Sequence, residues 1–416
     1  MDTAPTRAAG LARLHAFLPA AGRLYAARRN HDDGPQPGGR GNVSELSPFL
    51  HAGLIGMDEV LAPVLAMHGL EAAEKFIAEL FWRLYFKGYL EQRPAIWEDY
   101  CRGRDAALAA FGANSDLRRA YDAAVEGRTG IAAFDTWARE LVETGYLHNH
   151  ARMWFASIWI FTLRLDWRLG ADFFLRHLID GDAASNTLSW RWVAGLHTRG
   201  KHYLARAENI ARYTAGREGG PLVAEGLAED AAPLAEPQDY PRRPLDLPRA
   251  AVAADFSRPF ALLLHDEAAH HAPLALPAAP ALVIGASRPA ARAPGALGPK
   301  ALGFAEGAMA SGLAEAAAAY GCPAVVWHAG EPLAPLIEAA GVERLALAHL
   351  PTGWTRDALW PELAPLAATG RLIPLLGNIE RATWPHAKAG FFAVAKAIPA
   401  ILHGCGLDVG VGARGN

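Results

Sequence analysis

The stretch Asp180-Gly-Asp-Ala-Ala-Ser-Asn-Thr-Leu-Ser-Trp-Arg-Trp192 carries most of the information in this sequence. Two acids flank a glycine, an asparagine stands four residues after the second acid, and two tryptophans lie beyond it. Burying these polar groups in a core is costly unless each finds a partner. Taken alone, the stretch is equally consistent with a helix–helix junction capped by Asp180 and Asp182.

The surrounding sequence predicts a helical first half. Apolar residues recur at helical spacing in residues 71–90, 134–146 and 151–165. Eight of the twelve tryptophans precede residue 215, which indicates a large aromatic core or pocket in this half. We therefore predict an all-helical domain over residues 1–214.

The sequence changes character after residue 214. Residues 215–256 are rich in Gly, Pro, Ala and Glu and predict a linker. Residues 257–416 then alternate short apolar runs with amphipathic helical stretches, which predicts a doubly wound parallel α/β domain. The predicted strands are 260–264, 281–284, 324–327, 344–348 and 372–376, and the predicted helices are 306–320, 333–340, 357–368 and 386–403.

Composition excludes several classes of protein. The formal net charge of -3 argues against coating by nucleic acid, although a local basic face remains compatible with it. Cys101, Cys322 and Cys405 are too far apart for a disulfide framework and too few for a four-cysteine cluster. Neither a signal peptide nor a membrane-length apolar run is evident, so we expect a cytoplasmic protein without a membrane partner.

Several further elements precede the opening stretch in a fixed order. They are Gly127-Arg-Thr-Gly130 with Asp135 and Arg139, Thr144-Gly-Tyr-Leu-His-Asn-His-Ala-Arg-Met153, and Leu165-Asp-Trp-Arg-Leu-Gly170. Together with residues 180–192 they resemble, in order and spacing, the FAD-binding domain of the DNA photolyase and cryptochrome family. Glu79-Leu-Phe-Trp-Arg83, Val43-Ser-Glu-Leu-Ser-Pro48 and Tyr25 extend the resemblance to roughly residues 20–215.

The resemblance implies FAD as a cofactor. Ser44 and Ser47, at a helix start, would cradle the pyrophosphate, because hydroxyls and unpaired backbone N–H groups suit an anion. Arg152 would pair with Asp180 beside the flavin ring, and Asn186 would face flavin N5. The full set of implied FAD contacts is Tyr25, Ser44, Leu46, Ser47, Arg83, Asn149, Arg152, Asp180, Asp182 and Asn186.

The resemblance also implies an electron-transfer chain of tryptophans. Trp190 and Trp167 match its first two members. The stretch at the third position, Phe111-Gly-Ala-Asn-Ser115, contains no tryptophan, so the chain would end on another residue such as a tyrosine or Trp97. For any single tryptophan, packing in the core is the competing interpretation.

Five residues match the contacts that family members make with a flipped cyclobutane pyrimidine dimer. Aromatic faces would hold the extruded base, and a carboxylate would bond its Watson–Crick edge. These residues are Glu79, Trp82, Asn149, Met153 and Trp192. Departures from the family pattern are His150 and Glu45 in place of arginines and Leu84 in place of a glutamate.

Some basic and metal-binding residue types fall outside these motifs. Arg191, Arg199, Lys201 and Arg206 are candidates for phosphate contacts, with a solvated face as the competing interpretation. His265-Asp-Glu-Ala-Ala-His-His271 reads as an exposed loop at the carboxyl end of a strand, and we predict no metal site.

The order of the two halves is unusual for this family, in which an α/β antenna domain precedes the helical domain. Residues 301–307, 323–332 and 384–392 faintly resemble such an antenna domain, so a second, unknown antenna chromophore is an open expectation. The first interpretation is a light-dependent DNA repair lyase whose partner is damaged DNA. The alternatives are a cryptochrome-like blue-light photoreceptor that signals to a protein, and a degenerate flavin-binding or structural protein.

Overall fold

A computed structural model describes residues 4–407 of the 416-residue chain. From residue 4 to Tyr213 all regular elements are helices, as the periodicity predicted. These helices are α1 (Arg7–Phe17), α2 (Arg23–Arg28), α3 (Ser47–His51), α4 (Met57–Glu91), α5 (Ala95–Ala109), α6 (Ser115–Val125), α7 (Ala132–Thr144), α8 (Asn149–Ser157), α9 (Trp167–His177), α10 (Ala183–Ala194) and α11 (Ala207–Tyr213).

Helix α4 is the element around which the helical half is built. It runs for 35 residues, and Gly69 interrupts its helical dihedrals with φ 68° and ψ 168°. Apolar residues such as Phe76, Leu80 and Leu84 recur at intervals of four and are buried, so this face of the helix meets the core. Helices α2 and α10 pack against α4. Helix α8 packs in turn against α10.

The second half contains a five-stranded sheet in which every neighbouring pair is parallel. Its strand order is β3-β2-β1-β4-β5, so the chain first winds outward from β1 on one side and then on the other. This confirms the predicted doubly wound α/β architecture. The strands are β1 (Phe260–His265), β2 (Leu282–Ala286), β3 (Ala324–Val326), β4 (Arg344–Ala348) and β5 (Leu372–Leu375), and the helices are α12 (Pro299–Tyr320), α13 (Ala334–Ala339), α14 (Trp354–Ala368), α15 (Asn378–Thr383) and α16 (Phe392–Gly404).

The last helices return to the helical half. Both α15 and α16 pack against α4. The sequence predicted one helix over residues 386–403, but α16 begins only at Phe392. The residues before it, including Gly390, form a turn that follows the surface of α4, because their backbone carbonyls accept hydrogen bonds from α4 side chains and from Gln92 just beyond it. None of the helices within residues 4–407 is long and apolar enough to cross a membrane.

The segment between the two halves lies against the helical half. Ala133 N donates to Val223 O at 2.8 Å, and Leu234 N donates to Ala194 O at 2.9 Å. Arg217 is 7% exposed and pairs with Asp32 at 2.6 Å and with Glu140 at 2.5 Å.

Arg40 completes a buried network of two acids and two arginines. It pairs with Asp32 at 2.6 Å and also with Glu140. Burial alone would raise the pKa of Asp32, but Arg40 and Arg217 hold that pKa below its usual value. The network therefore ties the linker to helix α7 and to the loop before α3.

Replacing Arg217 with alanine should lower the free energy of unfolding by about 3–5 kcal/mol, because two buried carboxylates would then share one cation. Arg206 is exposed at the start of α11 and serves as the matched control. Arg206→Ala should change stability by less than about 0.5 kcal/mol. Urea unfolding of both variants measures the difference, and equal midpoints would contradict a structural role for the network.

Candidate functional site

The Asp180-Gly-Asp182 turn joins α9 to α10 and is buried. Asp182 is the N-cap of α10, and its Oδ1 accepts from Ser185 N at 2.7 Å. An aspartate suits this position because its carboxylate satisfies an N–H that has no partner within the helix. The other carboxylate oxygen of Asp182 points away from the cap and is available for a second set of contacts.

Asp180 lies beside Arg152, as the resemblance implied. Arg152 Nη2 donates to Asp180 Oδ2 at 3.1 Å, which joins the start of α10 to α8. Burial would raise the pKa of Asp180, but Arg152 and the Ser47 hydroxyl bring it below its usual value. The structure therefore assembles Ser47, Arg152 and Asp180 into one charge-compensated group.

Asp182 belongs to a second buried ionic group, which spans the two halves of the molecule. Its Oδ2 lies 3.2 Å from Lys87 Nζ, 3.3 Å from Arg83 Nη2 and 3.6 Å from His51 Nδ1. Lys87 also pairs with Glu267, which follows strand β1. Burial opposes ionisation of Asp182, yet Lys87 and Arg83 drive its pKa well below the usual value.

Three members of this group are residue types that ligate metal ions. Atoms of His51, Asp182 and Glu267 lie within 4.8 Å of one another. The Lys87 ammonium already stands between the two carboxylates and compensates their charge. The geometry supports an ionic contact among these residues. The sequence prediction of no metal site stays a prediction.

The α/β half covers the Asp-Gly-Asp turn. Trp354 is 1% exposed, and its Nε1 donates to Gly181 O at 3.0 Å. Arg292 donates to Leu178 O at 3.1 Å and stacks on Trp354 with its guanidinium carbon 5.0 Å from the ring centre. The sequence indicated neither residue, because no motif marks a contact between segments that lie more than a hundred positions apart.

Several buried polar atoms around this turn have no hydrogen-bond partner in the protein. A buried polar group without a partner usually marks a bound molecule, a water or stored strain. These atoms are His51 Nε2, Asp180 Oδ1, Arg292 Nε and Thr355 Oγ1. A planar ring with imide-type N–H and C=O groups needs both acceptors and donors, and these atoms supply both.

The remaining predicted FAD contacts lie around the same helices. Tyr25 packs edge-on against Phe76 with ring centres 5.2 Å apart. Ser44 caps its own loop by accepting from Leu46 N at 3.4 Å. Asn186 is 8% exposed, and its Nδ2 donates to Ala171 O at 2.9 Å.

The predicted lesion contacts lie on three helices. Glu79 and Trp82 stand on successive turns of α4, Asn149 and Met153 on successive turns of α8, and Trp192 on α10, which packs on both. Glu79 pairs with Arg29. Trp82 stacks on Phe391 with ring centres 3.9 Å apart and planes at 14°.

Trp192 and the start of α8 are partly open to solvent. Trp192 stacks on Tyr203 with ring centres 6.0 Å apart. Asn149 is exposed and Met153 is half-buried. These side chains therefore line a surface of the helical half, with Trp82 covered by the chain's own C-terminal segment.

Trp190 and Trp167 are both buried beside helix α9. Trp190 packs so closely on Gly170 that a Cβ there would lie 2.3 Å from the indole. Trp167 begins α9 one turn earlier, and its ring centre is 5.7 Å from that of Tyr100. Tyr100 in turn lies 5.2 Å from Trp97, whose Nε1 donates to Asp357 Oδ2 at 2.6 Å.

The structure corrects one of the four predicted phosphate contacts. Arg191 was a candidate phosphate contact, but its side chain is 3% exposed and pairs with Glu236 of the linker. Arg199, Lys201 and Arg206 are exposed, although Arg199 pairs with Asp239.

The His265–His271 stretch was predicted to be an exposed loop and is largely internal. His265 is fully buried and His270 is 2% exposed. Burial lowers the pKa of His265 to about 4, so it is neutral at pH 7. Glu267 from this stretch is the partner of Lys87.

A cavity of about 310 Å³ lies next to the ionic group. Arg83 and Lys87 line one side of it, and the carboxyl ends of β1, β4 and β5 line the other through Glu267, His349 and Leu376. This is where the strand order reverses, and in open α/β sheets ligands bind at such a crevice.

Comparison with known proteins finds matches to the helical half. Residues 76–223 match the model of the FAD binding domain of DNA photolyase. The deoxyribodipyrimidine photo-lyase of Streptomyces griseus is 33% identical over 255 residues, covering 56% of this chain and 53% of the relative. A deoxyribodipyrimidine photo-lyase of Thermus thermophilus is 38% identical over 197 residues, covering 46% of this chain and 43% of the relative.

The helical half is thus similar to the FAD-binding domain of DNA photolyase, and the relatives that match it are deoxyribodipyrimidine photo-lyases. The chain spans about half the length of the curated relatives it matches. A bacterial class III photolyase from Agrobacterium tumefaciens aligns with 50% of this chain and 42% of its own at 28% identity and a TM-score of 0.42.

The buried atoms that lack partners fit a flavin. Asp180 Oδ1 can accept from a ring N–H, and Arg292 Nε can donate to a ring carbonyl. The residues present are therefore compatible with the cofactor that the family match indicates, and Arg292 adds a donor from the α/β half.

Lys87→Met should destabilise the protein by about 3–5 kcal/mol, because it leaves Glu267 buried without its cation. Adding Glu267→Gln should restore most of that loss, since both charges are then removed. The coupling free energy from a double-mutant cycle in urea measures the pair. Additive losses in the double variant would contradict a direct ionic contact between the two halves.

Proposed function

We propose that this protein is a light-dependent DNA repair lyase acting on cyclobutane pyrimidine dimers, with FAD as its cofactor. The observation that carries the proposal is the Arg152–Asp180 pair, at 3.1 Å, in which the buried Asp180 keeps one carboxylate oxygen without a partner. Excited reduced FAD supplies the electron for this chemistry when it is bound. The chain's residues hold the cofactor, exclude water from it and bind the flipped base.

Each group would have a defined role in this proposal. Arg152 and Asp180 would orient the flavin ring, Asp182 and Arg292 would bind its polar edge, and Asn186 would tune its N5 position. Ser44 and Ser47 would bind the pyrophosphate at the start of α3, close to Leu46 and Tyr25. On the substrate side, Glu79 would bond the Watson–Crick edge of the base, while Trp82, Asn149, Met153 and Trp192 would surround it.

The alternative is a cryptochrome-like photoreceptor that signals to a protein partner. Two observations favour it over repair. Phe391 covers the stacking face of Trp82, and the Arg191 candidate for a phosphate contact is internal. Both reduce the surface that damaged DNA would use in the described arrangement.

The deciding experiment illuminates the FAD-loaded, photoreduced chain with an oligonucleotide that contains one thymine dimer. We expect light-dependent recovery of thymine absorbance, which Glu79→Ala should slow by about tenfold or more, equivalent to about 1.4 kcal/mol of lost transition-state stabilisation. Glu74 on the same helix is 66% exposed, so Glu74→Ala is the control and should repair at the wild-type rate.

The outcomes of this experiment separate the candidates. Bound FAD that is reduced in light without any repair would favour the photoreceptor. A purified chain that takes up no FAD would overturn both candidates. Equal slowing in Glu74→Ala and Glu79→Ala would contradict the assignment of Glu79.

We further propose that electrons reach the flavin through Trp167, Tyr100 and Trp97, in place of the absent third tryptophan. Burial raises the pKa of Tyr100 well above its usual value, and its hydroxyl has no hydrogen-bond partner. An oxidised tyrosine must lose its proton to persist, so Tyr100 suits a stepping stone better than an end point.

Trp97 has the proton acceptor that Tyr100 lacks. After loss of an electron toward the flavin, the Trp97 indole would transfer its Nε1 proton to Asp357 Oδ2 along the 2.6 Å hydrogen bond. Burial raises the pKa of Asp357, which makes its carboxylate a better base. An external thiol would return the electron to Trp97, and the proton would come back from Asp357.

Trp97→Phe should abolish the long-lived tryptophan radical after a light flash, and Asp357→Asn should shorten its lifetime several-fold, because an amide cannot take the proton. Transient absorption and electron paramagnetic resonance distinguish neutral from cationic indole radicals. Trp360 lies one turn beyond Asp357 and is 38% exposed, so Trp360→Phe is the control. Loss of the radical in Trp360→Phe with retention in Trp97→Phe would place the end of the chain elsewhere.

A further inference from the structure

The segment from Trp384 to Phe391, here called the closing segment, is fixed to helix α4 at one end. Gln92 Nε2 donates to Trp384 O at 3.1 Å and to Ala387 O at 3.0 Å. The Trp384 indole is buried against Gly88, where a Cβ would lie 2.7 Å from the ring. This end is therefore anchored by both packing and hydrogen bonds.

The other end of the closing segment is more exposed. Tyr85 Oη donates to Ala389 O at 2.6 Å, and this is followed by the exposed Gly390. A Cβ at Gly390 would have no neighbour within 4 Å, so nothing packs on this residue. Helix α16, which packs against α4, holds the chain after Gly390, so the unpacked Gly390 lies between two fixed ends.

Phe391 is the N-cap residue of α16, and its ring lies flat on Trp82. Their ring centres are 3.9 Å apart and their planes are at 14°. A third ring between them would need the planes about 7 Å apart, twice the contact distance of about 3.5 Å between carbon atoms. Trp82 cannot stack on a nucleobase through this face while Phe391 stays in place.

The other aromatic neighbours of Trp82 are not parallel to its ring. The face that Phe391 covers is therefore the one on which a flat ligand would stack. Phe86 is tilted by 41° to the Trp82 ring, and Tyr85 meets it at 85°. Glu79, three residues earlier on α4, stands on the same face of the helix, where its carboxylate pairs with Arg29. An unpaired nucleobase matches a flat aromatic face next to a hydrogen-bonding acceptor, and stacking tolerates every base.

We propose that the closing segment competes with an unpaired nucleobase for Trp82, so that base binding requires the Phe391 side chain to rotate off the Trp82 ring. The identity of the occupant rests on the proposed function, whereas the stacking of Phe391 on Trp82 does not. The closed arrangement keeps the pocket from non-specific bases, and binding of a base opens it.

The test uses the full chain and a fluorescein-labelled single-stranded oligothymidine, with affinity measured by fluorescence anisotropy in the dark. Phe391→Ala should bind about threefold to tenfold more tightly, the factor that corresponds to one lost aromatic pair. Phe392 is the adjacent residue and is 81% exposed, so Phe392→Ala is the matched control and should bind as the wild type does. In the Trp82→Ala background, Phe391→Ala should give no gain.

A structural measurement accompanies the affinities. In protein labelled with 5-fluorotryptophan, the ¹⁹F resonance of Trp82, assigned by its loss in Trp82→Phe, should shift when Phe391 is replaced. Oligothymidine added to the wild type should shift the same resonance. Phe391→Leu keeps apolar volume without stacking, and it replaces the alanine variant if that variant does not fold.

Equal affinities of Phe391→Ala and the wild type would overturn the competition, as would an equal gain in Phe392→Ala. The result is distinct from that of the repair experiment, because neither measurement needs light or dimer splitting. If Phe391→Ala binds oligothymidine more tightly and the protein repairs no dimer, the competition by the closing segment stands and the proposed repair function is wrong.

Discussion

The ion pair between Lys87 and the two carboxylates Asp182 and Glu267 is the contact on which the arrangement of the molecule depends. It connects helix α4, the start of α10 and the carboxyl end of β1, so that each half supplies a charge the other half needs. Buried charges are tolerated only when they are paired, and separating the halves would leave them uncompensated. The α/β half is therefore part of the site at the Asp-Gly-Asp turn.

This coupling explains why the turn is so enclosed. Trp354 and Arg292 reach across from the α/β half and make the hydrogen bonds that close over Gly181 and Leu178. Chemical groups at the turn are consequently held away from bulk water, where fixed charges act more strongly on a bound ligand. The same enclosure would set the electronic environment of a flavin from both halves.

The sequence allowed the two classes of fold to be predicted, because those depend on local patterns. Periodicity identified all five strands and parts of α4, α7, α8, α12, α13, α14 and α16, and the resemblance indicated the pairing of Arg152 with Asp180. It did not indicate Lys87, Glu267, Trp354 or Arg292, since their partners are distant in the chain and leave no periodic trace. Arg191 was misassigned for the same reason, because its partner Glu236 lies in the linker.

The return of α15 and α16 to helix α4 has a consequence for how the chain folds during synthesis. Helix α4 ends at Glu91 and α16 begins at Phe392, so roughly 300 residues must be translated between them. At typical rates of about 5–20 residues per second, the apolar surface of α4 that these helices cover waits roughly 15–60 s for its partner. The helical half thus emerges from the ribosome first and is completed last. Any protection of that apolar surface in the interval must come from contacts that are absent from the finished fold.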